Sequence, residues 1–134
     1  MPTPIVVTRA VLFGDCDPAG VVYTPQYSFF VVEAIYSALD TWAGAPGLRN
    51  LMALDILPPV RAMSLELLSP VTWDDVLHIK VSVEKLGSSS FTFLVEGRVE
   101  DGQPAFRCSV THVCICAATK ITVDMPATLR GWLS

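Results

Sequence analysis

Apolar residues recur with a helical period in only one part of this chain. Over residues 27–42 they recur at every third and fourth position, which predicts one long amphipathic helix. Thr24 and Pro25 precede this stripe and predict its start, with Thr24 as the N-cap and Pro25 at the first helical position. Gly44 and Pro46 follow the stripe and predict its end.

Elsewhere the apolar residues alternate with polar ones, which is the period of half-buried strands. The alternation is clearest from Leu77 to Glu84, and Asp101 and Gly102 predict a tight hairpin between two later strands. A segment at 47–57 predicts an irregular or helical connection, and the tail from 124 to 134 predicts a short terminal helix. The predicted strands cover residues 5–13, 63–67, 77–83, 91–99 and 104–116.

The predicted elements specify an α+β domain. One amphipathic helix is available to cover one face of a single antiparallel sheet. With 134 residues the chain forms one domain that has enough length for a substantial core. Hydrophobic residues make up 51% of it and charged residues only 16%, so we expect other subunits to cover much of its surface.

Charge and cysteine content exclude several functional classes. A net charge of -4 with scattered Lys and Arg argues against nucleic acid as the main partner. No apolar run approaches the roughly 20 residues that span a bilayer, and no secretory leader is expected at the N-terminus. Cys108, Cys114 and Cys116 share one parity along a predicted strand, so we expect buried thiols in a reduced, cytoplasmic protein.

The segment with the most chemical information joins the first strand to the helix. Residues 13–27 read FGDCDPAGVVYTPQY, so Asp15 and Asp17 lie in a short loop that leads into a helix N-terminus with free N–H donors. Acyl transfer needs a group that attacks a carbonyl and another that receives its developing negative charge. For Asp17 the alternative is a carboxylate that caps an ordinary Asp-Pro turn.

This loop, the long helix and the strands after it together resemble the hot-dog fold. More narrowly, the chain resembles the 4-hydroxybenzoyl-coenzyme A thioesterase branch of the hot-dog acyl-CoA thioesterases, with support from WDDVL at 73–77 and from residues 90–91. The resemblance implies a single hot-dog thioesterase domain over 1–134, in which a five-stranded antiparallel sheet is wrapped around a long central helix. It also implies a homodimer that builds its active sites at the subunit interface and pairs again into a homotetramer.

The resemblance also implies roles for residues of the loop and of the first helical turns. Asp17 corresponds to the catalytic carboxylate, and the backbone N–H of Thr24 to the group that polarises the thioester carbonyl. Tyr23, Tyr27 and Phe30 supply aromatic surface that encloses the acyl group. A carboxylate is ionised at neutral pH, so Asp17 serves either as a nucleophile that forms a mixed anhydride or as a base that activates water.

The turn before the fourth predicted strand departs from the family pattern. Some relatives carry arginines there that hold the phosphates of coenzyme A, whereas this chain has a glycine followed by Ser88 and Ser89. These two serines are the candidate substrate-binding residues of the turn. Three alternatives stay open: weaker phosphate recognition, recognition by Lys85 or Arg107, or an acyl-carrier protein in place of coenzyme A.

Other polar residues predict structural roles. Asp15 is expected to bind loop N–H groups, His78 to face solvent or an interface, and His112 to be a hydrogen-bonded core residue. Relatives often carry an acid at the position of Val32, whereas this chain has Glu33, either as an acid beside the site or as a structural carboxylate. Neither histidine has a partner at metal-ligand spacing, so no metal or cofactor is expected.

The sequence therefore predicts an enzyme that hydrolyses acyl-CoA thioesters to a free acid and coenzyme A. Aromatic acyl groups such as 4-hydroxybenzoyl are among the candidate substrates. A hot-dog dehydratase or hydratase is one alternative, although that chemistry uses a histidine near the thioester and neither histidine lies in the loop or the helix start. A non-catalytic module that binds acyl thioesters is the other.

Overall fold

The computed structural model describes residues 1–134 and contains one long helix, two short helices and seven strands. The elements are β1 (Ile5–Ala10), α1 (Gln26–Trp42), α2 (Gly47–Met52), β2 (Ile56–Leu57), β3 (Val60–Leu67), β4 (Val76–Leu86), β5 (Ser90–Arg98), β6 (Pro104–Val113), β7 (Ile115–Cys116) and α3 (Ala127–Trp132). Neither α1 nor the shorter helices have the length and apolarity needed to span a lipid bilayer.

Five strands form one antiparallel sheet in the order β1-β4-β5-β6-β3. The helix α1 buries its apolar stripe against this sheet, as its period predicts. This confirms the α+β class and the five-stranded hot-dog arrangement. The strands β1 and β3 are the two edges, so each has an unpaired side.

A close contact between two strands and α1 fixes the start of the helix on the sheet. The ring of Phe106 lies where a side chain at Gly97 would be, since a Cβ at that position would come within 2.2 Å of it. Tyr27 packs edge-to-face against Phe106 with ring centroids 5.4 Å apart, and against Phe30 at 5.9 Å. The missing side chain of Gly97 thus makes room for the aromatic cluster that anchors the first turn of α1.

The ends of two strands differ from the sequence prediction. The first strand ends at Ala10 rather than at residue 13, because Phe13–Asp15 forms a 3-10 turn. The last long strand ends at Val113, and the chain then forms β7, which pairs with β2 in a small second sheet. Cys116 is therefore half-exposed on β7 and is not a core residue, whereas Cys108 and Cys114 are buried as expected.

The segment after α1 and the C-terminal tail agree with the sequence predictions. Residues 47–52 are helical, and the terminal helix is present as α3. The helix α1 ends one residue before Ala43, and Gly44 takes the left-handed backbone conformation (φ +79°) that commonly follows a helix.

Candidate active site

Asp17 lies at the tip of a hairpin-like loop. Its N–H donates to the carbonyl of Val21 at 3.0 Å, and its carbonyl accepts from the N–H of Gly20 at 2.9 Å. Gly20 has a φ of +82°, a conformation that favours glycine. One carboxylate oxygen of Asp17, Oδ1, accepts the Ala19 N–H at 2.9 Å. The turn-capping role is therefore real, but it occupies only Oδ1 and leaves Oδ2 without a protein partner.

Asp15 connects this loop to β1 and α1. Its nearly buried carboxylate accepts hydrogen bonds from Arg9 at 2.7 and 3.3 Å, from the Leu12 N–H at 2.8 Å and from the Gln26 side chain at 3.1 Å. Its carbonyl accepts the Tyr23 N–H at 3.0 Å. The prediction that Asp15 binds loop N–H groups is confirmed, and these bonds fix the backbone that leads into the helix.

Opposing effects act on the pKa of Asp15. Burial by itself raises the pKa of the carboxyl. The hydrogen bond from Arg9, the Leu12 N–H and the positive charge of Arg9 outweigh burial, so the pKa lies below its ordinary value. The ionised form is the one that the fold stabilises.

Asp15→Asn is expected to lower the free energy of unfolding at neutral pH by about 2–4 kcal/mol, because it removes the charged partner of Arg9. Urea denaturation measures this difference. A carboxylate with a lowered pKa contributes stability above its unfolded pKa of about 4 and loses it as the pH falls through the folded value. The two proteins should therefore converge in stability below about pH 4.

Asp124→Asn is the matched control, because the exposed Asp124 side chain makes no hydrogen bond or ion pair. Equal stability losses in the two variants, or a gap that does not close in acid, would contradict the role of Asp15.

The start of α1 differs from the predicted capping pattern. The helix begins at Gln26, and the N–H groups of residues 26–28 donate to carbonyls three positions earlier, at 2.8–3.3 Å. This tight first turn takes the place of a side-chain cap, so the prediction of Thr24 as N-cap is wrong. The Thr24 N–H donates to no protein acceptor and lies at an exposed position. It is an unused donor at the positive end of a helix of 17 residues.

Thr24 borders a cavity of about 260 Å³ between the loop and the end of β3. Tyr27 also lines the cavity although it is almost fully buried, and so do Leu67 and Leu68 from the end of β3. The structure therefore brings Thr24 and Tyr27 together in one cavity. Asp17 lies on the neighbouring arm of the loop and does not line this cavity, but its N–H is hydrogen-bonded to the carbonyl of Val21, which does.

The other predicted aromatic residues have different surroundings. Tyr23 is 55% exposed beside Thr24 and is available to a ligand. Phe30 has no accessible surface, because it belongs to the buried stripe of α1 and packs under the Arg9 guanidinium at 4.7 Å. The prediction that Phe30 encloses an acyl group has no support in this arrangement.

Ser88 and Ser89 lie far from Asp17 within one chain. The loop of Asp17 follows Ala10, which pairs with Val76 at the beginning of β4, whereas the two serines follow the end of β4. This strand has 11 residues and therefore spans about 35 Å. The serines share a site with Asp17 only if a second copy of the chain contributes them.

Arg9 and Gln26, which hold Asp15 in place, were not predicted from the sequence. The only signal for Arg9 was a polar position in a strand of apolar residues. Glu33 accepts a hydrogen bond from Arg9 Nε at 3.3 Å and is exposed, so it belongs to this network. His112 is buried and hydrogen-bonded, as predicted, and His78 pairs with Glu100 on the surface. No group of three or more His, Cys, Asp or Glu side chains is arranged to hold a metal ion.

Comparisons with known proteins agree with the fold. Residues 11–133 match the thioesterase-like superfamily. The 1,4-dihydroxy-2-naphthoyl-CoA hydrolase of Synechococcus elongatus is 31% identical over 93% of this chain and 91% of its own length. A crystal structure of a thioesterase superfamily protein from Jannaschia sp. CCS1 superposes with a TM-score of 0.90 at 29% identity, over 98% of this chain and 91% of that one. A 4-hydroxybenzoyl CoA thioesterase complexed with 4-hydroxybenzoyl CoA shares the fold, with a TM-score of 0.87 at 21% identity over 98% and 99% of the two chains.

Proposed function

Because this chain belongs to the thioesterase-like superfamily, we propose that it uses Asp17 and the Thr24 N–H to hydrolyse CoA thioesters of aromatic acids. Hydrolysis of an acyl-CoA thioester is the enzyme's reaction. One observation supports this assignment. Asp17 Oδ2 accepts no hydrogen bond from the protein, the Thr24 N–H donates none, and both lie on the same short loop.

In this mechanism the thioester carbonyl oxygen accepts a hydrogen bond from the Thr24 N–H, and the dipole of α1 stabilises the negative charge that develops there. Asp17 then acts by one of two routes. Its Oδ2 attacks the carbonyl carbon, the C–S bond breaks, and water hydrolyses the resulting mixed anhydride. Alternatively, Asp17 takes a proton from a water molecule that attacks the carbonyl carbon directly, after which the C–S bond breaks and the departing thiolate takes up the proton. Both routes end with a free acid and coenzyme A.

The aromatic substrate class is supported by the relatives and by the surface around the loop. Relatives with high coverage are named as hydrolases of 1,4-dihydroxy-2-naphthoyl-CoA. Tyr23 is exposed beside Thr24, and the exposed rings of Phe13 and Trp73 contact each other edge-to-face with centroids 6.4 Å apart. Release of thiol from aromatic, short-chain and long-chain acyl-CoA esters tests this proposal, and the aromatic esters should have the highest kcat/KM.

The same panel separates the rival functions. Binding of the esters without thiol release would favour a non-catalytic module, and hydration of an enoyl-CoA would favour a hydratase. Within one chain neither histidine lines the Thr24 cavity, because His78 pairs with Glu100 on the surface of β4 and His112 binds the Pro58 carbonyl near the end of β6.

We also propose that the active enzyme is a dimer that pairs through β3. This edge strand is exposed along seven of its eight residues, and these include Val60, Met63 and Leu67. Exposed apolar edge strands are ready to pair with another strand, and two identical strands related by a two-fold axis run antiparallel. The start of one β3 then lies beside the end of the other, near the Thr24 cavity of the second copy.

This arrangement places Ser88 and Ser89 at the same end of the molecule as the second copy's Thr24, where they are proposed to contact coenzyme A. Pairing of two dimers into a homotetramer would cover further apolar surface, such as Phe29 and Tyr36 on α1, which are 61% and 43% exposed. The four free cysteines suit a reducing compartment, so a cytoplasmic location is proposed as well.

Met63→Glu is expected to convert the protein to a monomer at micromolar concentration. Met63 is near the middle of β3, so the symmetric pair would bring two new carboxylates close together at the two-fold axis. Sedimentation equilibrium measures the mass. Thioesterase activity should fall together with the dimer, since each site is proposed to need both copies.

Val6→Glu is the control, because Val6 is an exposed apolar residue on the opposite edge strand and is paired with Lys80. A variant at Met63 that remains dimeric, or a monomer that keeps full activity, would overturn the proposed interface.

A further inference from the structure

A second cavity lies at the end of the sheet away from the Asp17 loop. It has a volume of about 380 Å³ and is enclosed by the second half of α1, by α2 and by the ends of β5 and β6. Its walls are mostly apolar and include Ile35, Leu51, Phe91 and Phe93. Small molecules bind in cavities of this size and character.

His112 is the buried polar residue in the wall of this cavity, whereas the charged lining residue Lys120 is exposed. Its Nδ1 is 2.8 Å from the carbonyl oxygen of Pro58, and its ring stacks on Phe91 and meets the edge of Phe93, with centroids 5.1 and 5.6 Å away. These contacts fix the orientation of the imidazole. Its Nε2 is fully buried and has no hydrogen-bond partner, the only buried side-chain nitrogen or oxygen in the protein with that property.

The hydrogen bond to Pro58 determines the chemical character of Nε2. A carbonyl oxygen only accepts, so Nδ1 carries the proton and Nε2 of the neutral ring is an acceptor. Burial lowers the pKa of His112 more than the Pro58 carbonyl raises it, which favours the neutral ring. A buried acceptor in an apolar wall needs a donor, and a hydroxyl group on a flat ring supplies both the donor and the apolar surface.

We propose that this cavity binds the ring of a hydroxylated aromatic acyl group and that His112 Nε2 accepts the hydrogen bond of the ring hydroxyl. The inference rests on the proposed function, since it assigns the ring to the acyl part of the thioester substrate. His112 is therefore a specificity residue that selects hydroxylated over unsubstituted rings.

The proposed dimer connects this cavity to the thioester. Pro58 and Pro59 line the cavity and directly precede β3, whereas Leu67 and Leu68 at the end of β3 line the Thr24 cavity. Antiparallel pairing of two β3 strands brings these two regions of different copies together. The ring would thus lie in the His112 cavity of one copy while the Thr24 N–H of the other holds the carbonyl.

Kinetics with matched substrates test the selection of the hydroxyl group. In the native enzyme, kcat/KM should be about tenfold higher for 4-hydroxybenzoyl-CoA than for benzoyl-CoA. His112→Asn retains an amide donor for the Pro58 carbonyl but lacks the Nε2 acceptor, so its preference should fall to within about twofold. His78→Asn changes the other histidine, which lies on the surface, and should keep the preference.

Binding of a probe tests the cavity without catalysis. The native protein should bind 2-naphthol about tenfold more tightly than naphthalene, and His112→Asn should remove that difference. The chain has only two histidines, so the imidazole ¹⁵N resonances are assigned by comparison with His78→Asn. The Nε2 resonance of His112 should move when 2-naphthol is added, and this measurement remains decisive if His112→Asn fails to fold.

The outcomes separate this inference from the proposed function. Hydrolysis with no preference for the hydroxylated ring, and a His112 resonance that does not respond to 2-naphthol, would overturn the cavity assignment and leave the thioesterase function intact. His112-dependent binding of 2-naphthol in a protein that hydrolyses no thioester would support a hydroxyl-selective ring site but overturn its assignment to an acyl group.

Discussion

Asp17→Asn is expected to lower kcat for thioester hydrolysis by about 10²–10⁴-fold, the range typical for loss of a catalytic base. The substitution isolates the charge. Asparagine keeps a side-chain oxygen that can accept the Ala19 N–H, so the turn retains its cap. It has neither the nucleophilic carboxylate nor the base that the two routes require. Thiol release under saturating substrate measures kcat, and the KM should change much less.

The chain supplies a close control in Asp101. Its Oδ1 accepts the N–H of Gln103 two positions later at 2.8 Å, the same capping contact that Asp17 makes with Ala19. Asp101 lies in the hairpin between β5 and β6. Asp101→Asn should keep full activity, so a shared loss of activity in both variants would point to turn stability. Full activity in Asp17→Asn would remove Asp17 from the mechanism.

A single turnover in water enriched in ¹⁸O distinguishes the two routes in the native enzyme. If Asp17 attacks the carbonyl, the water that later cleaves the mixed anhydride adds its oxygen either to the acyl carbon or to the Asp17 carboxylate. Label in the protein after one turnover therefore identifies the nucleophilic route. Direct attack of water places the label only in the released acid.

The sequence predicted the fold well where periodicity was strong and poorly where the chain is irregular. The stripe of α1 and the alternation in β4 specify which face of each element is buried, and the structure has both. Strands of two residues, such as β2 and β7, are too short to show any period. Only tertiary contacts determine where such short strands form. The sequence therefore contained no sign of β7, and the prediction that Cys116 continues the buried face of the preceding strand is wrong.

The candidate site shows the same division. The loop sequence predicts a turn at Asp17 and a helix start after Thr24, because both are local features, whereas the catalytic roles proposed for the two residues come from the family resemblance. The network around Asp15 depends on Arg9 and Gln26, which come from β1 and α1 and meet only in the folded chain. The role of His112 was recognisable as structural from its parity in β6, but its unpartnered nitrogen depends on three separate elements around it.

Removing the backbone N–H of Thr24 is expected to lower kcat by about 10²–10³-fold, which corresponds to the 2.7–4 kcal/mol typically lost with one oxyanion donor. Side-chain substitution cannot test a backbone donor, so the change required is an ester in place of the amide at position 24. Lactic acid in place of alanine there, compared with Thr24→Ala, removes that donor and also makes the Tyr23 carbonyl, which accepts the Gln26 N–H at 2.8 Å, a weaker acceptor. The Thr24 N–H has no acceptor in the protein, so its loss breaks no native hydrogen bond, and the one native bond that the ester weakens is that from the Gln26 N–H to the Tyr23 carbonyl.

The expected pattern is specific to transition-state stabilisation. An N–H that holds the developing oxyanion contributes to kcat more than to substrate binding, so the ester should lower kcat and kcat/KM together. The free energy of unfolding should fall by no more than about 1 kcal/mol relative to Thr24→Ala, since only the bond from the Gln26 N–H to the Tyr23 carbonyl is weakened. An ester variant with the same kcat as Thr24→Ala would show that the start of α1 does not receive the charge. Asp17 would then have to act at a carbonyl held by another group.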